Sequence, residues 1–263
     1  MTNANPIDRS WVFQSSNTKE AAVKLLCQRV EEQFQLPSNR LCRYFADSDD
    51  PALTWLYGGH FRGFHVPYPA RTVLPLYLVH CFFHPFDSSK DVEFKDTIAF
   101  DNLIYIRHST SADTAGLVET YAHELQHVVQ SANTPRLLFV NQILAHKLKA
   151  IEAAAIATDI PSEREANIVS KRVAEIVCGL EAVRAFAEEQ LRLMRELGEN
   201  EEAARWLFFR DVPSSTQYNL LEDTLSLVKK YKNVIDFEMD VDEPRWWVGP
   251  LKQSGKAKPN IEE

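Results

Sequence analysis

The segment His123-Glu124-Leu125-Gln126-His127 has residue types and a spacing that can support metal chemistry. Side chains four positions apart on a helix project from one face. Two imidazoles placed in this way can bind one tetrahedral zinc ion at roughly 2.0–2.1 Å each. Glu124 follows the first histidine, so its carboxylate can reach a water on the same ion and accept a proton. The pattern predicts a hydrolytic metal site.

The surrounding residues predict the helix that this site requires. Residues 114–132 contain no proline, and their apolar side chains recur at helical spacing. These side chains are Leu117, Val118, Tyr121, Leu125, Val128 and Val129. Thr114 or Ser111 can cap the start, and Asn133-Thr134-Pro135 provides a stop. The two histidines fall on a flank of the apolar face, beside Gln130. The alternative is a solvated helix that carries two histidines by coincidence.

A catalytic zinc centre takes three protein ligands and leaves one position for water, so a further ligand is needed. A metzincin would continue with glycine and histidine where this chain has Gln130 and Asn133, so that class is excluded. A second helix is predicted from about residue 160. Pro161 suits a first helical turn, and the helix dipole favours the acidic residues that follow it.

The two segments together resemble the gluzincin metallopeptidases, in which an H-E-x-x-H helix is followed by one with E-x-x-A-D or E-x-x-x-D. The residues that carry the resemblance are His123, Glu124, His127, Glu163, Ala166 and Asn167. The small, minimal members look most similar, and the matching motifs cover about 55 residues. The resemblance implies Zn²⁺ as the cofactor and Glu163 as the third ligand. Asn167 stands where the family has an aspartate beside a ligand histidine; an amide can accept the same hydrogen bond without the charge.

Periodicity alone does not choose between Glu163 and its neighbours. Glu165 lies as close to the apolar stripe of the second helix, although Ser162-x-x-Glu165 also fits a capping box. Glu152 belongs to another helical run. The resemblance favours Glu163 over both.

Composition excludes several classes of protein. The net charge is −8 with dispersed basic residues, which argues against nucleic-acid binding. The N-terminus lacks the pattern of a signal peptide. The longest apolar stretch, Val73 to Phe86, is too short and interrupted to span a bilayer. Cys27, Cys42, Cys81 and Cys178 show no paired spacing, so reduced thiols in the cytoplasm are expected.

Sequence texture predicts an α+β fold with a small N-terminal sheet lobe and a mostly helical C-terminal lobe, and the gluzincin resemblance implies that this fold is zincin-like. The predicted division is residues 1–113, 114–251 and a disordered tail at 252–263, with the first two forming one compact catalytic unit. The predicted strands are Arg71–Phe83, Val92–Phe100 and Leu103–His108, with a turn at Asp101-Asn102. The predicted helices besides the motif helix are Asn17–Leu36, Leu137–Ile151, Ser162–Leu197, Glu201–Phe209 and Leu220–Val234.

This order of elements places the metal in a cleft between the two lobes. By resemblance to zincins, Leu103–Ile106 or Ile98–Phe100 could be the sheet edge that pairs with an extended substrate. The alternative, an ordinary buried strand, fits these residues equally well. Gly58-Gly59-His60 and Gly63-Phe64-His65 form an aromatic loop that could line the cleft, although an ordinary turn is favoured. The residue that stabilises the oxyanion is left open among the helical-half side chains His146, Tyr218 and Tyr231.

The expected function is zinc-dependent hydrolysis of a peptide bond, with a peptide or protein as substrate. His123, His127 and Glu163 are the expected ligands and Glu124 the general base. The alternative is a zincin-like protein that binds metal, or only keeps the ligands, and acts through protein contacts. A third interpretation makes both histidines structural. Neither the substrate nor the oligomeric state can be read from the sequence.

Overall fold

The computed structural model describes residues 10–13, 19–37, 41–46, 62–67, 102–111, 113–150 and 156–231. The strands are β1 (Trp11–Phe13), β2 (Leu41–Phe45), β3 (Gly63–Pro67) and β4 (Asn102–Ile106). The helices are α1 (Glu20–Glu31), α2 (His108–Ser111), α3 (Thr114–Asn133), α4 (Pro135–Ala150), α5 (Ile156–Asp159), α6 (Pro161–Cys178), α7 (Leu180–Leu197), α8 (Asn200–Asp211) and α9 (Leu220–Tyr231). The fold class is α+β, as predicted. The predicted strands Arg71–Phe83 and Val92–Phe100, Glu152 and the predicted tail lie outside the described residues.

The described strands form one mixed sheet in the order β1-β2-β4-β3. Strand β2 pairs in parallel with both β1 and β4, whereas β3 is antiparallel to β4. The prediction that Leu103–Ile106 is a sheet edge is wrong, because hydrogen-bonded neighbours occupy both sides of β4. All five of its side chains are buried, as in a strand covered on both faces. Among the described strands, β1 and β3 are the outer ones.

Helix α3 packs one face against this sheet. Its side chains Leu117, Tyr121 and Leu125 share a buried cluster with Ile104 and Ile106 of β4. The same cluster includes side chains of α1 and of α6 to α8, so it joins residues on both sides of position 113. Burying these side chains holds α3 in a fixed rotation about its axis, which sets the direction of its polar flank.

The start of α3 differs from the prediction. The N-cap is Asp113, whose Oδ1 accepts a hydrogen bond from the backbone N–H of Gly116 at 2.8 Å. The predicted caps Thr114 and Ser111 fall inside α3 and α2 instead. An aspartate one position earlier satisfies the same exposed N–H groups.

The predicted single helix over Ser162–Leu197 is two helices, α6 and α7. Gly179 separates them with φ +89° and ψ 150°, a conformation that only glycine adopts readily. Gly198 ends α7 with φ +76° in the left-handed region. The break turns the chain so that α7 and α8 pack back on the main cluster, while α6 keeps its own contact with α3.

A smaller hydrophobic cluster lies around α4, α9 and the residue before α6. Its buried members are Leu137, Val140, Leu144, Leu148, Ile160, Leu220 and Val228. Asn141 of α4 is fully buried there and accepts a hydrogen bond from the backbone N–H of Ser162 at 3.2 Å. This contact helps to fix where α6 begins.

Candidate metal centre

The two histidines of α3 point to the same place. His123 and His127 are both buried, their ring centroids are 4.9 Å apart, and the rings are nearly perpendicular. Their Nε2 atoms lie 3.2 Å apart. The helical spacing predicted from the sequence therefore brings both imidazole nitrogens to one point at the edge of the core.

Glu163, in the first turn of α6, reaches both nitrogens. Its Oε2 lies 3.2 Å from His123 Nε2 and its Oε1 lies 3.4 Å from His127 Nε2. Ligands at 2.0–2.1 Å from a tetrahedral ion are separated from one another by about 3.3 Å. The two imidazole nitrogens, and the carboxylate oxygen nearest to each, are separated by distances close to this value. They form a group that could hold a metal ion.

The rival Glu165 points elsewhere. Its Oε2 accepts hydrogen bonds from Gln126 Nε2 at 3.1 Å and from Gln130 Nε2 at 2.8 Å. The predicted capping box is also absent: the N-cap of α6 is Ile160, and no side chain caps it. Side chains two positions apart on a helix differ in direction by about 200°. Only one of Glu163 and Glu165 can therefore face the histidines.

Gln130 is a contact of the site that sequence reasoning missed. Its Oε1 lies 2.8 Å from His127 Nδ1, and its Nε2 donates to the backbone carbonyl of Ser162 at 3.0 Å as well as to Glu165. The side chain is only 2% exposed. Its place on the same flank as the histidines was a signal, but its partners on α6 could not be read from the sequence.

Asn167 does not take the place of the family aspartate. Its Oδ1 accepts a hydrogen bond from Arg205 Nε at 3.2 Å. The Nδ1 of His123 is buried and has no hydrogen-bond partner in the part of the chain that the structure describes. The two candidate ligand histidines therefore differ in support: the Gln130 amide lies against Nδ1 of His127, while no described group bonds Nδ1 of His123.

A buried ion pair lies one helical turn before His123. Glu119 is fully buried, and its Oε1 accepts a hydrogen bond from Arg205 Nη2 at 2.7 Å. Its other oxygen accepts from the Thr120 hydroxyl at 3.2 Å. Neither the pairing of Glu119 with α8 nor its depth was predicted. The pair ties α3 to α8 behind the ligand cluster.

Charges within the cluster shift its protonation equilibria. Burial alone would lower the pKa of His127, but the negative charge and hydrogen bond of Glu163, with help from Glu124 and Gln130, raise it to about 9. Burial would raise the pKa of Glu163, yet His127 and His123 hold it well below its usual value. Without metal, the cluster is therefore a carboxylate beside a protonated imidazole near neutral pH.

Glu124 is 7% exposed and lies among the same charges. Burial raises its pKa above the usual value, while His123 and His127 oppose the shift and Glu163 adds to it. A carboxylate with a raised pKa is a stronger base than one in water. Its environment is therefore suited to accepting a proton.

The sheet also contributes a side chain here. The His65 ring, on β3, stacks near the His127 ring with centroids 6.4 Å apart and planes 15° apart. Its Nε2 lies 2.8 Å from Asn102 Oδ1. The prediction of a loop or turn over Gly63-Phe64-His65 is wrong, because these residues belong to strand β3. Of the proposed oxyanion residues, Tyr218 and Tyr231 pack against the smaller hydrophobic cluster, and the His146 side chain lies outside the described residues.

Comparison of the chain with protein-family models, with curated proteins and with solved structures found no match. None of the described helices has the length and apolar character needed to cross a membrane.

Proposed function

We propose that this protein is a zinc-dependent peptide hydrolase of the gluzincin type. The observation that carries the proposal is the separation of 3.2–3.4 Å among the two imidazole nitrogens and the Glu163 carboxylate. Two nitrogen ligands and one oxygen ligand in a tetrahedral arrangement are typical of catalytic zinc, which keeps its fourth position open.

Each residue has a defined task in this proposal. When bound, zinc supplies Lewis acidity that polarises a peptide carbonyl and lowers the pKa of water toward 7. Glu124 accepts the proton of the attacking water and passes it to the leaving amine. This role is supported by the position of Glu124 next to His123 on α3 and by its burial among the candidate ligands.

The sheet side supports an extended peptide as the substrate. Strand β3 is an outer strand of the described sheet, and its His65 ring lies next to the ligand His127. An outer strand offers backbone N–H and C=O groups with which an extended peptide can pair. In this arrangement the scissile bond lies between β3 and the ligand cluster, as in a zincin-like cleft.

Replacing Glu124 with glutamine tests the proposal. The variant keeps the shape of the side chain and removes the base, so we expect it to retain zinc while peptide hydrolysis falls by about 10²–10⁴-fold. Zinc content by mass spectrometry and cleavage of a mixed peptide library are the measurements. Glu181→Gln, the same change at an exposed position in the first turn of α7, is the control.

Hydrolysis at the wild-type rate by Glu124→Gln would contradict the role of Glu124. A wild-type protein that binds zinc but cleaves no peptide would instead favour a metal-binding protein that acts through protein contacts. A protein that binds no zinc would leave the histidines as part of a structural ion pair with Glu163.

A further inference from the structure

The Gln130 side chain connects both helices that supply the candidate ligands. It lies on α3, three residues after His127, and reaches the first turn of α6. Its two amide hydrogens go to two acceptors there, the carbonyl of Ser162 and the carboxylate of Glu165. Every hydrogen that this side chain can donate is therefore used between the helices.

These acceptors fix which way round the amide lies. The –NH2 group must face Ser162 and Glu165, because the carbonyl and carboxylate oxygens there only accept hydrogen bonds and the amide oxygen has none to donate. The amide oxygen must then face His127, 2.8 Å from Nδ1. A carbonyl oxygen only accepts, so Nδ1 carries a hydrogen whether or not the ring is charged. The proton that zinc replaces is therefore the one on Nε2, the nitrogen beside Glu163 and His123.

We infer that Gln130 is a positioning residue of the metal centre, which holds His127 in the tautomer that binds metal through Nε2 and fixes α6 beside it. The inference rests on the proposed function in that it takes the cluster as a zinc site. The amide of Gln130 does for His127 what a carboxylate or a backbone carbonyl does for a metal-bound histidine elsewhere. It also bonds the residue directly before Glu163, so one side chain sets two of the three ligands.

The chemistry of the three bonds explains why glutamine is needed. A glutamate could accept from His127 but would place a carboxylate against Glu165 with no hydrogen to share. A methionine has the same length but no strong donor or acceptor. Gln126, four positions earlier on α3, also donates to Glu165, at 3.1 Å, and this bond is to a residue that is not a candidate ligand. It is therefore a matched control.

The first test compares zinc affinity in Gln130→Met, Gln126→Met and the wild type by competition with a chelator of known affinity. We expect Gln130→Met to lose about 10–100-fold in zinc affinity, the usual cost of removing such a partner. Gln126→Met breaks a link between the same helices but leaves His127 oriented, so we expect its affinity to match the wild type. An equal loss in both variants, or no loss in either, would overturn the inference.

The second test can be decided on the wild type alone. Nitrogen-15 spectra of the zinc-loaded wild type, labelled at histidine, show which ring nitrogen of His127 carries the hydrogen. We expect it on Nδ1, exchanging slowly with solvent, and exchanging faster in Gln130→Met but not in Gln126→Met. A hydrogen on Nε2 would overturn the inference even if Gln130→Met fails to fold.

Neither measurement depends on turnover. A wild type that binds zinc through His127 Nε2 but cleaves nothing would count against peptide hydrolysis and leave the role of Gln130 standing. Conversely, wild-type zinc affinity in Gln130→Met, together with peptide cleavage by the wild type, would support peptide hydrolysis and contradict the role of Gln130.

Discussion

At the scale of single residues, the ligand cluster is held together by opposite charges before any metal arrives. Glu163 carries a negative charge, and His127 is protonated near neutral pH because its pKa is raised to about 9. Zinc binds only the neutral imidazole, so the ion has to replace a proton. The ion pair thus keeps the ligands in place and at the same time competes with zinc.

This competition predicts proton release. At pH 7, below the raised pKa of His127, zinc binding should release about one proton from that ring, and the affinity should rise with pH until about pH 9. Calorimetry in buffers of different ionisation enthalpy counts the released protons. Zinc binding at pH 7 without proton release would contradict the protonated state of His127.

The chemistry at this scale was largely predictable. His123, Glu124 and His127 lie within one helical turn, so their relative positions follow from local geometry alone. Glu163 was chosen by resemblance, and the structure brings it to both imidazoles. The contacts of Gln130 with α6 and of Arg205 with Glu119 were not predictable, because each joins residues more than 30 positions apart.

At the scale of elements, Gly179 decides how α6 and α7 are arranged. Apolar residues continue in helical spacing on both sides of it, so the pattern gave no sign of a break. Its φ of +89° ends α6 and lets α7 begin in a new direction. Helix α6 carries Glu163, and α7 contributes Phe186 and Leu191 to the main cluster. Both the position of Glu163 and the packing of α7 therefore depend on this break.

The break predicts the effect of adding a side chain there. A Cβ added to Gly179 would meet no heavy atom of the described residues within 4 Å, so Gly179→Ala would face backbone strain without a clash. We expect the free energy of unfolding to fall by about 1–3 kcal/mol, measured by urea denaturation. Gly198→Ala, at a left-handed position with equally open surroundings, is the comparison, with an expected loss of about 1–2 kcal/mol. Unchanged stability in Gly179→Ala would contradict the need for glycine.

Sheet topology was the least predictable level of structure. The short strands β1, β2 and β3 were not predicted, because three to five residues give little alternation to detect. The segment of β4 was predicted as a strand, but its partners were not. A run of consecutive apolar residues fits an interior strand as well as an edge, and only the pairing with β2 and β3 shows which it is.

At the scale of the whole molecule, a bound ion would join parts of the fold that meet only in the native state. Two candidate ligands come from α3 and the third from α6, and both helices pack into the main cluster. An unfolded chain would not hold the three groups together. Metal binding should therefore be coupled to folding.

This coupling predicts a gain in thermal stability with zinc. At free zinc 100 times the dissociation constant, the native state should gain about 2.7 kcal/mol, and the melting temperature should rise with zinc concentration. Calorimetry with and without a chelator measures the gain. Glu163→Ala should abolish it, whereas Glu181→Ala, at an exposed position of α7, should keep it. A gain that survives Glu163→Ala would show that zinc binds elsewhere.

The distance along the chain between the ligands has a consequence for biosynthesis. Both imidazoles leave the ribosome with α3, but the carboxylate follows only after α4 and α5, at the start of α6. A nascent or truncated chain that ends before Pro161 has two of the three ligands and lacks the carbonyl that orients α6 against Gln130. Stable binding of the ion by all three candidate ligands would accordingly require that translation has passed the first turn of α6, and it would stabilise only chains that have reached that length.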